Sequence, residues 1–135
     1  MKSSFLNLPK WASELTRFGV VGVVGFVANA ASLMMLARFA NLYISGLFAW
    51  VIAATVTWYL NRIWTFSGRD HGGLFRQWLH FLGANSFGAA LYYATYATAI
   101  SLFPFVTTHP VVAVAAGSVV GLVANFILSR RLVFR

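Results

Sequence analysis

The chain has no cysteine, and only two acidic residues, Glu14 and Asp70, stand against ten lysines and arginines. Without cysteine there is no disulfide, no thiolate metal ligand and no cysteine nucleophile. Charged residues make up 9% of the chain, too few to cover the surface of a soluble domain. No carboxylate falls inside an apolar run, which argues against a proton-coupled antiporter of the small multidrug type. Glu14 lies just ahead of the first run, where helical spacing makes it the expected i,i+3 partner of Arg17. There is no Gly-rich phosphate loop, paired carboxylate or nucleophile constellation, and His71, His80 and His109 lack metal-ligand spacing. Neither catalysis, a metal nor a cofactor is expected.

What the chain does have is apolar sequence, 60% of its 135 residues. Four runs approach bilayer length, over about residues 18–37, 44–60, 78–103 and 111–128, and in lipid such runs fold as helices. The expected fold is therefore an all-α integral membrane protein, with residues 1–135 forming one transmembrane domain. Lys2, Lys10 and Arg17 ahead of Ala28-Asn29-Ala30 could be read as a cleavable leader. The apolar run continues to Phe39, however, so it is read as a retained span. A net charge of +8 would indicate nucleic acid in a soluble protein, but here anionic lipid headgroups are the expected partner and nucleic acid is not.

The basic residues also set an orientation. Lys2, Lys10 and Arg17 precede the first run, Arg62, Arg69 and Arg76 lie between the second and third, and Arg130, Arg131 and Arg135 follow the fourth. Arg38 alone lies on the other side, so both termini and the middle loop are expected in the cytoplasm.

The two halves resemble each other. Arg17-Phe18 and Gly25 correspond to His80-Phe81 and Gly88 at an offset of 63, and residues 61–66 (NRIWTF) correspond to 129–134 (SRRLVF) at an offset of 68. Each half holds two runs, so the expected arrangement is two hairpins in a parallel repeat, related by an axis along the membrane normal. Arg17, Arg62, Arg130, Arg131 and His80 then come to one depth at the inner face. An arginine fork suits a lipid phosphate there, although basic residues also flank ordinary spans as topology signals. Within the runs, Gly22, Gly25, Asn29 and Ser32 share a stripe, as do Asn85, Ala89, Tyr92 and Tyr96, and Gly117, Gly121 and Asn125. The small residues permit close helix packing. The amides and phenols of Asn29, Asn61, Asn85, Tyr92, Tyr96 and Asn125 form a candidate groove for a sugar headgroup, since they both donate and accept.

The pattern is similar to the GtrA-like family of small four-span membrane proteins. The likeness rests on Arg17-Phe18 leading into Gly22, Gly25 and Asn29, on the exit at residues 61–66, and on residues 125–134 (NFILSRRLVF). It runs from about residue 15 to 135, with one departure, Ser129 where the first half has Asn61. The resemblance implies a bacterial inner-membrane protein of cell-surface polysaccharide synthesis, which translocates polyprenyl-phosphate-linked sugar or recycles the carrier lipid. Phosphate binding through Arg17, Arg62, Arg130 and Arg131, expected from their shared depth, fits that role, and the resemblance implies a polyprenyl-phosphate glycosyltransferase as partner. A non-transporting anchor that recruits such a transferase is the competing reading. Four helices enclose little volume, so a homo-oligomer is also expected.

Overall fold

The computed structural model describes residues 8–69 and 72–135, so Lys2, Asp70 and His71 lie outside the described residues. All regular structure among the described residues is helical. Contacts divide the chain into two compact units, Met1–Arg69 and Asp70–Arg135.

The first unit is a pair of helices, α1 (Lys10–Leu36) and α2 (Leu42–Leu60). Pro9 precedes α1, and no breaker separates it from the apolar run, so the helix begins well upstream of that run. Asn41 starts α2, its side-chain oxygen accepting the Ile44 N–H at 2.9 Å, as a helix cap should. The helices meet across Phe18, Val21, Gly25, Ala49, Ala53 and Ala54, all buried. A β-carbon on Gly25 would overlap the Thr57 methyl, so the crossing depends on that glycine.

The second unit pairs α3 (Leu74–Leu102) with α5 (Pro110–Leu128), joined through the single turn α4 (Pro104–Thr108). Its seam is again made of small residues. A β-carbon on Gly88 would overlap the Asn125 side chain, and one on Gly121 would sit 3.2 Å from the Gly88 carbonyl oxygen. Gly117 packs on Tyr92, where an added β-carbon would lie 2.9 Å from the backbone oxygen and 2.8 Å from ring carbon Cδ2. Backbone cannot swing aside as a flexible side chain can. Gly117→Ala is therefore expected to destabilise the unit by about 2 kcal/mol, measured by denaturant titration in micelles. An unchanged midpoint would show that the seam is looser than this packing implies.

Both units finish in a π-helical turn. After α2 comes π1 (Asn61–Thr65), closed by Phe66 N–H donating to the Asn61 carbonyl at 2.9 Å. After α5 comes π2 (Ser129–Val133), closed by Phe134 N–H to the Ser129 carbonyl at 2.8 Å. Phe66 then packs on Phe18, with ring centroids 6.2 Å apart, and Phe134 packs on Phe81 at 6.0 Å. All four rings are buried.

Much of the outward surface is apolar, Val23, Phe26, Val27 and Met34 on α1 among it. Among the described residues, three segments are long and apolar enough to cross a membrane, namely Lys10–Leu36, Leu42–Thr65 and Val111–Val133. The difference from the four expected spans is α3, which at 29 residues is long enough. Its Asn85, Ser86, Tyr92, Tyr93 and Tyr96 make it less apolar than the other three.

Candidate functional site

In the first unit the charged residues gather where α1 begins and π1 ends. Glu14 is buried, and its carboxylate accepts from Arg69 Nη2 at 2.6 Å. Its partner is thus Arg69 rather than the Arg17 that helical spacing favours. Gly68, with φ of 84°, takes a left-handed turn open to glycine and brings Arg69 back over the Phe66 ring, 5.4 Å from its centroid. Arg17 turns instead to the end of π1, donating from Nη1 to the Trp64 carbonyl at 3.3 Å with its guanidinium 5.8 Å from the Trp64 ring centroid. The same carbonyl accepts from Ser67 Oγ at 3.2 Å, and it lies at a helix end, a place where cations are favoured.

The remaining arginines expected to bind phosphate sit on the π-turns. Arg62 and Arg130 are half-buried and engaged within the protein, whereas Arg131 is exposed. Asn61 requires a correction. It is buried, and its side-chain oxygen accepts from Thr65 Oγ1 at 2.7 Å, so it locks π1 and does not line a groove. In the second half Ser129 and Val133 replace this pair, and Ser129 Oγ is buried with no hydrogen-bond partner among the described residues.

The amides of the second unit do converge. Asn125 Nδ2 donates to Asn85 Oδ1 at 3.3 Å across the α3–α5 seam, and Asn85 Nδ2 donates to the Phe81 carbonyl at 3.2 Å. Asn125 Oδ1 is buried with no hydrogen-bond partner among the described residues, an unsatisfied acceptor between two helices. Further along α3, Tyr92 and Tyr96 stack with centroids 6.1 Å apart and planes 13° from parallel. Asn85, Tyr92, Tyr96 and Asn125 thus form one polar strip. Asn29 is half-buried on α1, in the other unit.

Where α3 begins, two adjoining recesses open in the second unit. One, of about 300 Å³, is lined by Gly72, Gly73, Arg76, Gln77, His80 and Arg135, with Leu132 and Val133. The other, of about 450 Å³, is mostly apolar, with Leu79, Phe87, Leu128 and Leu132 in its wall. They share His80, Leu132, Val133 and Arg135. Arg76, Gln77 and Arg135 were not legible as site residues from type or motif. The signal that could have found them is that Gln77 stands 63 positions after Glu14, at the repeat offset.

Membrane-length apolar helices, an outward apolar surface and polar groups drawn to helix ends and seams define a multi-pass α-helical membrane protein. The family can be stated as well. The chain belongs to the GtrA/DPMS transmembrane domain family, whose model matches residues 17–134. No curated protein matches it in sequence.

Proposed function

We propose that the chain translocates a polyprenyl-phosphate-linked sugar across the bacterial inner membrane, in cell-surface polysaccharide synthesis, without itself catalysing a covalent step. The family supports involvement with polyprenyl-linked sugars. On this reading α3 is a fourth span, and both termini face the cytoplasm, in keeping with the placement of lysine and arginine. The observation that carries translocation is the strip of Asn85, Asn125, Tyr92 and Tyr96 between α3 and α5. An unpartnered amide oxygen in hydrocarbon is costly, and a sugar hydroxyl passing along the seam would satisfy it. The same polar strip accounts for the lower apolarity of α3. Basic residues on π1 and π2 would receive the phosphate, Arg62 in the first unit and Arg130 and Arg131 in the second.

The test uses purified protein in liposomes loaded on one leaflet with a labelled polyprenyl-phosphate hexose. Access of the sugar to a membrane-impermeant reagent is followed over time. Acceleration is expected, and Asn125→Ala is expected to lower the rate about tenfold through loss of the seam amide. Arg62→Ala and Arg130→Ala should also slow it. Correctly folded protein that gives no acceleration would turn the reading to the anchor, in which Asn125→Ala leaves glycosyltransferase recruitment intact.

A further inference from the structure

The two units differ where their repeats align. At the start of α1 the residues are Ser13, Glu14 and Arg17, and at the offset of 63 in α3 they are Arg76, Gln77 and His80. Glu14 and Gln77 are both buried, 4% and 3% exposed, so the same inward position carries a carboxylate in one unit and a neutral amide in the other. The first unit is internally matched: Glu14 binds Arg69, and Arg17 binds the Trp64 carbonyl. In the second, Gln77 Nε2 donates to the Val133 carbonyl at 3.4 Å, adding no negative charge. Around it stand Arg76, His80 and Arg135, which among the described residues have no ion-pair partner and line the open recess.

We propose that the units are functionally unequal at their helix starts: the second holds a phosphate-lipid site formed by Arg76, His80 and Arg135, at the place the first closes with its own carboxylate. The ligand has one phosphoryl group and one long apolar chain. Arg76 and Arg135 give charge-assisted hydrogen bonds to the phosphoryl oxygens, and the imidazole N–H of His80 supplies a further donor. The chain lies in the adjoining recess against Leu79, Phe87, Leu128 and Leu132, which the basic recess meets at His80 and Arg135. Either recess alone would admit other ligands. Contiguous, they select a molecule that is anionic at one end and hydrocarbon beyond it. The location comes from the recesses themselves, while the choice of a polyprenyl phosphate within that class rests on the proposed function.

Binding is measured on the full chain in phosphatidylcholine nanodiscs with labelled polyprenyl phosphate. Arg76 is exposed, so Arg76→Ala leaves the packing in place, and it is expected to weaken binding at least about tenfold, the loss of one charge-assisted contact. Gln77→Glu gives the second unit the carboxylate of the first and is expected to weaken binding as much or more. Gln77→Met, similar in volume and uncharged, should retain binding and separates charge from packing. Wild-type affinity in both Arg76→Ala and Gln77→Glu would overturn the site. So would equal competition by phosphatidylglycerol, which would make the recess a general anionic-lipid surface, or by inorganic phosphate, which would remove the apolar arm. Translocation measured on the same variants keeps the two proposals apart. Rapid flipping with unchanged binding refutes the site and spares the transporter. Binding that responds as expected in a chain that does not flip lipid does the reverse.

Discussion

Phe134→Ala is expected to cost the second unit about 3 kcal/mol, enough to lose a large share of the folded population of a marginally stable domain. The Phe134 ring is fully buried, 0% exposed, against Phe81 at the foot of α3. Its own N–H closes π2, so the residue that fills the space also ends the turn. Truncation leaves a cavity between α3 and the end of α5 that backbone can only partly collapse, because the π-turn holds Ser129 through Val133 in register. Unfolding by denaturant in micelles should show the loss, with Phe75→Ala, whose ring is exposed, as a control that moves little. Phe134→Leu should recover part of it. A midpoint for Phe134→Ala equal to that of Phe75→Ala would mean that the ring pair is not what binds the end of α5 to α3. Phe66 against Phe18 occupies the corresponding place in the first unit.

The recurrence of these rings was legible in the sequence, though not their pairing, because the offsets of 63 and 68 align Phe18 with Phe81 and Phe66 with Phe134. Aromatics that recur at helix starts and exits in two halves must meet something common to both. The helical character of α1, α2 and α5 was readable for a simpler reason, since an apolar run of that length has few other ways to satisfy its backbone. The convergence of Asn85 and Asn125 followed from their stripes on α3 and α5. The π-turns were not readable. An i+5 bond at Asn61 or Ser129 differs from an i+4 bond by a local choice that residue types do not dictate, and that choice buries Asn61 where an open groove lining was expected. Arg69 was missed for a different reason. It is 55 residues from Glu14 in sequence, and only the left-handed turn at Gly68 brings it back. Local spacing favoured Arg17, but the carboxylate faces inward and Arg17 instead donates to the Trp64 carbonyl on π1.

That long-range pair carries the second large prediction. Glu14→Ala is expected to destabilise the first unit by about 3 kcal/mol, the cost of stranding one partner of a mostly buried ion pair. The side chains are 6% and 19% exposed, so neither charge is well hydrated and Arg69 cannot regain full solvation without leaving the Phe66 ring. Arg69→Ala should cost less than Glu14→Ala if the turn can open to water, because Glu14 then remains on a rigid helix while the loop relaxes away from it. The double variant, with both charges removed, should recover more than half of the single Glu14 loss, since no unpaired charge remains. A double variant as unstable as the sum of the two singles would show that the residues act through packing and not through their charges. A Glu14→Gln chain is the more telling comparison, because it gives the first unit the residue the second already has. If the carboxylate serves only to neutralise Arg69, Glu14→Gln should lose most of the stability that Glu14→Ala loses. It should also bind polyprenyl phosphate more tightly than wild type, through an arginine released from its internal anion. Stability lost without any gain in phosphate affinity would confine Glu14 to a structural role, leaving the contrast with Gln77 to rest on the second unit alone.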